Sequence, residues 1–587
     1  MIFSAFQSVL KFKTILKYSL TAIVAVCMAS FSTDRDYEAK TSISADSNSF
    51  GMRMRKVPEN ASRIYEPAIV QSSPANEATI VNLASGIIKI FYVNRPGKGD
   101  KLMSVSSSDM GISWSDPQKE FDLLGEAYYA NQVMQDQNGN IHCVYHLYGK
   151  GNKGYAGKHL DLWYAYKETG KDWTRPKKIF DGYVGSVRKF VQLKNKTLLI
   201  PMYEADPLRA KKPASGETDY GLFNTICLYS DDMGQSWKYS ENSLKIPVES
   251  TQVTRYGAVE PDVIELKNGK IWMLIRTNKG YLYESFSDNS GKTWQPPQPS
   301  SFISSDSPAT TLRLSDGRIL LLWSGNQRYD DNRSYANGGR EALHAAISKD
   351  DGRTWKGFRE VLVSPSSSDT RGDRGTAYPS AIEARNGKIV FLSGQAEERA
   401  IAVFDPDWLE QKSAEEDFSE GLVQWTLFGA DSTTHLSSVN NHSALLIRNK
   451  KKQKKSDTEA VWNFPMTAKG ELILEIMPNP GSKGINIALT DHFSVSYDTE
   501  ASKNAIINFP LTDNITISKH LPVQVKVLWD TEKQKAAIYM NDKLLTEKTF
   551  QRKSLQGGFN YLRLGIPDME SDENGYFVSS VKVRRKK

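Results

Sequence analysis

Cysteine is nearly missing from this chain, with three in 587 residues. Cys27 lies in an apolar stretch near the N-terminus, and Cys143 and Cys227 sit inside apolar, strand-like runs one to two repeats apart. A disulfide-stapled scaffold is therefore excluded, and the two internal cysteines read as buried free thiols. An excess of one charge is also lacking. Seventy-five Lys and Arg against 68 Asp and Glu leave a net +7, small for this length and partly held in two local clusters, so charge gives no ground for a nucleic-acid partner. Helix-period stretches are scarce. The longest apolar candidate, Tyr18 to Phe31, falls short of the about 20 residues that a membrane span needs. Aromatic residues, by contrast, make up 10% of the chain, which suits an all-β protein with ample core.

The N-terminus reads as an export signal. Lys11, Lys13 and Lys17 precede the apolar run and Ala29 is a small residue at a plausible cleavage position, so residues 1–29 are assigned to a signal peptide. The expected location is secreted or periplasmic, with the cell surface as an alternative and no stable membrane span after cleavage. Lipid anchoring through Cys27 is disfavoured, because Val26 is bulkier than the residue that usually precedes a lipidated cysteine. Residues 30–59 are polar and aperiodic and read as a linker.

Four copies of one octamer organise the chain beyond the linker: Ser107-Ser-Asp-Met-Gly-Ile-Ser-Trp114, Ser230-Asp-Asp-Met-Gly-Gln-Ser-Trp237, Ser287-Asp-Asn-Ser-Gly-Lys-Thr-Trp294 and Ser348-Lys-Asp-Asp-Gly-Arg-Thr-Trp355. A worn fifth copy runs from Tyr166 to Trp173. Asp or Asn folds onto its own backbone, Gly supplies a positive φ, and Trp fills the gap to a neighbouring sheet, so each box is a hairpin turn. A second signal recurs between the boxes: Asn138-Gly139, Asn268-Gly269, Asp316-Gly317 and Asn386-Gly387, each followed by an apolar strand. Five boxes and the last turn count six units of one small antiparallel sheet. Such sheets bury both faces only when arranged radially, which predicts an all-β, six-bladed β-propeller over residues 60–412. The boxes belong to its rim and are structural.

Boxes of this form on such a fold resemble the sialidase (neuraminidase) family, and the resemblance extends beyond them. Val259-Glu260-Pro261-Asp-Val-Ile-Glu-Leu, a Gly turn and then Leu274-Ile-Arg276 are similar to a family signature. Arg340, ahead of the fourth box, falls where the family has another Arg. Tyr378, in Thr-Ala-Tyr-Pro-Ser, falls where it has its nucleophile, and Asp100, in a first-blade loop, where it has its acid/base. The resemblance implies an exported retaining exo-sialidase with Tyr378, Glu260 and Asp100 catalytic, Arg63, Arg276 and Arg340 binding the substrate carboxylate, and no metal or cofactor. Its partners would be sialylated or other acidic glycans, and a monomer is expected.

The chemistry accounts for that grouping. A sialic acid carries its carboxylate on the anomeric carbon, and Arg presents a planar fork to hold it. A carboxylate nucleophile would be repelled, by about 4 kcal/mol for like charges ~4 Å apart at an effective dielectric near 20. A neutral phenol avoids this but needs a neighbouring base, for which Glu260 is the candidate. Asp100 would protonate the leaving oxygen and then activate water. One departure stands out. Arg63-Ile-Tyr-Glu-Pro67 puts Tyr65, not Arg63, two residues before the proline, where the family has its first Arg; Arg95 and Arg374 are alternative donors. A two-Arg site would suit a different acidic sugar, such as a uronic acid. His142, His146 and His159 cluster in the second unit and would serve a lyase base or a metal, while a non-catalytic glycan-binding propeller needs no Tyr378–Glu260 pair.

Past an acidic connector at residues 411–421, residues 421–587 lack boxes but keep strand alternation, as in Val523-Gln-Val-Lys-Val-Leu-Trp529. They resemble the concanavalin-like jelly rolls appended to carbohydrate enzymes, and a structural or glycan-tethering β-sandwich is expected. The run Arg448 to Lys455 reads as a solvated basic loop.

Overall fold

Antiparallel pairing of short apolar strands accounts for almost all regular structure in the chain. The computed structural model describes residues 55–56, 64–95, 99–150, 159–205, 223–247, 256–327, 339–364, 374–429, 433–449, 458–495, 505–512, 522–550, 553–554, 556–567 and 571–586. The expected signal peptide, most of the linker, Arg63 and residues 450–455 of the basic run lie outside them. Among the described residues there is no α-helix; Ala396–Glu398 and Pro406–Glu410 are 3₁₀ turns, and no helix is long and apolar enough to cross a membrane.

Six small sheets succeed one another along the chain. The first pairs Thr79–Asn82, Ile88–Asn94, Lys101–Ser107 and Gln118–Asp122 in sequence order, and the second to fifth repeat that order from Ala127–Gln135 to Lys356–Val363. The sixth takes three strands from its own stretch, Ser380–Glu383, Ile389–Ser393 and Ala400–Phe404, and a fourth from the N-terminal side, because Ala68–Gln71 pairs antiparallel with Ala400–Phe404; the short Arg55–Lys56 adds a fifth, parallel to Ala68–Gln71. A count of repeats does not reveal that borrowed strand. Inner strands such as Ile271–Arg276 and Ile319–Trp323 are buried along their whole length, whereas outer ones such as Gln118–Asp122 are largely exposed.

The boxes connect third to fourth strands. In the first, Asp109 accepts from the amides of Ile112 and Ser113 and from the hydroxyl of Ser107, while Trp114 Nε1 donates to the Gly111 carbonyl. Two successive residues adopt left-handed backbone there, Met110 (φ 63°) and Gly111 (φ 91°), and the other three boxes repeat this, so the turn needs more than its glycine. Each box also packs on the preceding sheet. A Cβ on Gly234 would meet Tyr164 Oη at 2.2 Å, one on Gly291 would meet Leu199 at 2.7 Å, and one on Gly111 would meet Val390 of the sixth sheet at 2.8 Å. The contacts therefore run from sheet to sheet and return from the first to the sixth. Of the box tryptophans only Trp294 is fully buried, at 5% exposure; Trp114, Trp173, Trp237 and Trp355 are half-buried, so the gap to the neighbouring sheet is filled unevenly. Cys143 and Cys227 are buried free thiols.

Two larger sheets complete the chain. One carries Asp572–Arg585 between His442–Asn449 and Lys469–Pro478; the other is ordered Trp425–Phe428, Glu459–Thr467, Phe559–Gly565, Ile485–Thr490, Ile507–Leu511. Their inward residues, among them Leu474, Val525 and Val581 facing Trp425, Trp462 and Leu562, form one core. Val523–Asp530 alternates strictly between buried and half-buried residues, as a strand with one face in a core must. These sheets meet the fifth small sheet through a shared apolar cluster of Ala342, Val363, Phe428, Val461, Phe493, Val495 and Tyr561.

Candidate active site

Antiparallel topology sorts the loops before any side chain is considered. The start of a first strand, the end of a second and the start of a third share one edge of each sheet, while the Asn-Gly turns and the boxes share the other. Glu260 is at the start of Val259–Glu265, Arg276 ends Ile271–Arg276, Arg340 precedes Ala342–Ser348, Tyr378 precedes Ser380–Glu383 and Asp100 precedes Lys101–Ser107. All five stand on the edge away from the boxes.

Four of them meet. The Tyr378 hydroxyl donates to Glu260 Oε1 at 2.9 Å and accepts from Arg276 Nη1 at 3.0 Å. The same nitrogen lies 2.5 Å from Glu260 Oε2, and Arg276 Nε donates to Asp306 Oδ1 at 2.6 Å. The Arg340 guanidinium carbon stands 5.3 Å from the centre of the Tyr378 ring, with Nη1 donating to Gln395 Oε1 at 2.8 Å and Nε buried without a hydrogen-bond partner. Asp100 stands apart. It is buried, its Oδ2 accepts from the Ala127 amide at 2.8 Å, and its Oδ1 has no partner; among the described residues no hydrogen bond or ion pair joins it to the other four.

The backbone at the centre is unusual. Glu260 (φ 45°) and Tyr378 (φ 65°) are non-glycine residues in the left-handed region, each followed by proline, and Glu260 sits in an irregularity of its strand pairing. Such conformations cost of order 1–3 kcal/mol each and persist only where their surroundings over-determine them. Here the surroundings do so. Thr376 donates twice to the Arg340 carbonyl, from its amide (2.7 Å) and its hydroxyl (3.0 Å), and Gly375 lies so close that a Cβ would meet that carbonyl oxygen at 2.3 Å.

The electrostatics suit a phenol paired with a base. Burial raises Tyr378 well above the ordinary phenol range and the Glu260 charge raises it further, while Arg276 and Arg340 pull it back. The hydroxyl thus keeps its proton and directs it at a carboxylate oxygen. Burial opposes the charge on Arg276, but Asp306 and Glu260 outweigh that and hold its guanidinium well above its usual range.

Several residues escaped the sequence reading. Glu77, Arg188, Asp306 and Gln395 are all buried here. Arg188 lies 4.9 Å from the Tyr378 ring centre and 3.2 Å from Glu77 Oε2. Asp306 is the second carboxylate on Arg276. One signal was available: Glu77, Glu260 and Tyr378 each stand nine residues ahead of a left-handed turn glycine, at Gly86, Gly269 and Gly387, and all three have positive φ. The alternative donors do not reach the phenol. Arg95 is exposed and Arg374 lies 3.6 Å from Glu341; neither contacts Tyr378 among the described residues.

The three histidines do not converge. His142 sits between Tyr164 Oη (2.8 Å) and Asp136 Oδ2 (3.2 Å), and His146 bonds the Ala130 carbonyl. Burial pushes His146 down to about 4. His159 lies with Asp161 and Asp181 in a grouping of metal-ligand type, but Lys178 Nζ already stands 2.6 Å from Asp161 and 2.9 Å from Asp181 and supplies the cation.

Residues 128–391 match the family of BNR repeat-like domains. Among solved structures, the chain is similar to a Dyadobacter fermentans protein of unknown function, at 18% identity over 58% of this chain and 97% of that one, with a TM-score of 0.42. It is also similar to a Trypanosoma rangeli sialidase in complex with 2,3-difluorosialic acid (15%; 87% and 91%; TM-score 0.39) and to the NanB sialidase of Streptococcus pneumoniae (14%; 58% and 71%; TM-score 0.41). Identities and TM-scores at this level transfer no residue role. The family match covers the second sheet to the middle of the sixth and therefore spans Arg188, Glu260, Arg276, Arg340 and Tyr378.

Proposed function

We propose that the protein is an exported, retaining exo-glycosidase that removes terminal sialic acid through Tyr378. The observation that carries this reading is the buried Tyr378–Glu260 hydrogen bond of 2.9 Å with Arg276 and Arg340 beside it. A glycan-binding module has no use for a phenol aimed at a carboxylate. A glycosidase acting on a substrate with an anomeric carboxylate needs a neutral nucleophile, a base for its proton and guanidinium groups for the acid. Glu260 takes the phenol proton as Tyr378 Oη bonds to the anomeric carbon and the glycosidic oxygen leaves with a proton from Asp100. Asp100 then draws a proton from water as the water oxygen bonds to the anomeric carbon, and the Tyr378 oxygen leaves that carbon and takes its proton back from Glu260, which releases the sugar. The six small sheets are read as blades of a propeller with this site at one end of its axis, and the two larger sheets as a concanavalin-like sandwich.

A fluorogenic sialoside assayed beside a panel of uronides tests the reading. Hydrolysis of the sialoside with retention at the anomeric carbon is the expected result. Turnover of uronides alone moves the substrate to another acidic sugar, as the spacing at Arg63 would suit, and turnover of neither removes the glycosidase.

A further inference from the structure

Arg188 precedes Val191–Gln192 in the third sheet and is 3% exposed. Its Nη1 donates to Glu77 Oε2 at 3.2 Å, and the Ser186 hydroxyl donates to that same carboxylate oxygen. Its Nη2 donates at 3.2 Å to the carbonyl of Pro379, the residue after Tyr378, and its guanidinium carbon stands 4.9 Å from the centre of the Tyr378 ring. The Thr310 hydroxyl donates to the same carbonyl at 2.7 Å. One guanidinium thus touches both the ring of Tyr378 and the peptide after it. On the other flank, the Thr376 bonds to the Arg340 carbonyl fix the approach. Between these two anchors lies the left-handed φ of 65°.

A buried ion pair is a poor way to gain stability, since an apolar pair of similar volume usually serves as well. Arg188 and Glu77 are both almost wholly buried, and Arg188 Nε has no hydrogen-bond partner. Their value lies in where they place charge and donors. Arginine supplies two in-plane donors and a flat cationic face together, which lysine does not. Held over the ring at 4.9 Å, that charge favours the oxygen anion that develops as the phenol proton leaves for Glu260.

We propose that Arg188 is a positioning residue for the nucleophile: oriented by Glu77, it holds the Tyr378–Pro379 unit in the strained backbone that aims the phenol at Glu260, and its charge on the ring face favours the transition state of covalent attack. This rests on the assignment of Tyr378 as nucleophile, so the test has an arm that needs no substrate. Crystal structures of the full-length R188M and R188K variants are compared with the wild type. The proposal expects Tyr378 Oη to leave Glu260 Oε1, with the 2.9 Å contact opening beyond about 4 Å in R188M, farther than any hydrogen bond reaches. A phenol still bonded to Glu260 with its φ unchanged in both variants overturns the proposal, whatever the substrate proves to be; should R188M not fold, R188K is read by the same criterion. In the kinetic arm, R188K is expected to lose about 100-fold in kcat, the size of effect a misplaced reacting group of about 1 Å produces, with KM within about threefold. A KM raised tenfold or more at near-normal kcat would instead make Arg188 a direct ligand of the substrate and overturn the positioning role. T310V, which removes the second donor to the same carbonyl and leaves the guanidinium on the ring, is expected to lose less than R188K; an equal or larger loss also counts against the proposal. If wild-type protein hydrolyses none of the glycosides, the functional reading fails while the crystallographic arm still decides the role of Arg188.

Discussion

Acid should loosen the seam between the small sheets and the larger pair, and His344 sets the size of the effect. Its Nδ1 accepts from the Gly325 amide at 3.1 Å, so the proton of the neutral ring sits on Nε2, which donates to Tyr561 Oη at 2.6 Å; Tyr561 in turn donates to Glu360 Oε1 at 2.7 Å. Gly325 also receives the Phe493 amide through its carbonyl. A proton on Nδ1 would break the first of these bonds. Burial, aided by His492, pushes the ring down to about 3 from its ordinary 6.5. Between pH 6.5 and 4.5 the unfolded chain binds a proton at this position and the folded chain does not, so stability is full above 6.5 and is lost as pH falls. Two pH units at 1.36 kcal/mol each amount to about 3 kcal/mol, and the figure barely changes if the folded value is 4 rather than 3, because both lie below the window. Urea unfolding of the wild type and His344→Asn at pH 7 and 4.5 reads this directly. Asn retains an acceptor for the Gly325 amide but has no titrating group. The wild type should lose about 3 kcal/mol more than the variant between the two pH values, with His146 and the carboxylates contributing equally to both. Losses that agree within about 1 kcal/mol would refute the argument.

Tyr378→Phe should keep the fold and lower turnover on the cleaved glycoside by two orders of magnitude or more, since the Glu260 base would have no proton to take; near-normal kcat would exclude the phenol as nucleophile. Arg340→Lys should raise KM more than it lowers kcat, because a point charge replaces a fork, and a kcat-only effect would count against a role in holding the carboxylate. Trp294→Ala should cost about 3–5 kcal/mol on chemical unfolding, as expected for emptying a buried aromatic site, with activity per folded molecule retained. Trp237→Ala should cost less, because Trp237 is half-buried and its Nε1 lacks a partner; equal costs would show that exposure does not grade the boxes.

The sheets were legible because their signals are local. A box needs eight consecutive residues and an Asn-Gly hairpin fewer, so each copy declares itself without knowledge of its neighbours. What stayed hidden was non-local. The fourth strand of the sixth sheet comes from Ala68–Gln71, more than 300 residues from the strand it joins, and its sequence alternates like any other. The box tryptophans also look alike in sequence. Trp294 is buried among Leu199, Cys227, Val263 and Met273, whereas Trp237 only borders the cluster of Tyr164 and Phe190. That difference depends on what the preceding sheet offers.

The site divides along the same line. Glu260, Arg276 and Tyr378 lie in short stretches that resemble a known pattern, and they could be named from the sequence. Glu77 and Arg188 lie in no such stretch. Yet they arise by the same construction: Glu77, Glu260 and Tyr378 occupy one repeated slot, two residues ahead of regular pairing in the first, fourth and sixth sheets, each with left-handed backbone. Repetition of one sheet therefore produces a set of equivalent positions, and chemistry enters through which residue fills each. A carboxylate in the fourth slot and a phenol in the sixth make the hydrogen-bonded pair. A second carboxylate in the first slot orients Arg188, whose charge then reaches the phenol across 191 residues of sequence to bond the Pro379 carbonyl. Replacing Glu77 with Gln should accordingly weaken the site through Arg188 without touching Tyr378, and the double variant with R188K should lose little more than R188K alone, since the two side chains act as one unit.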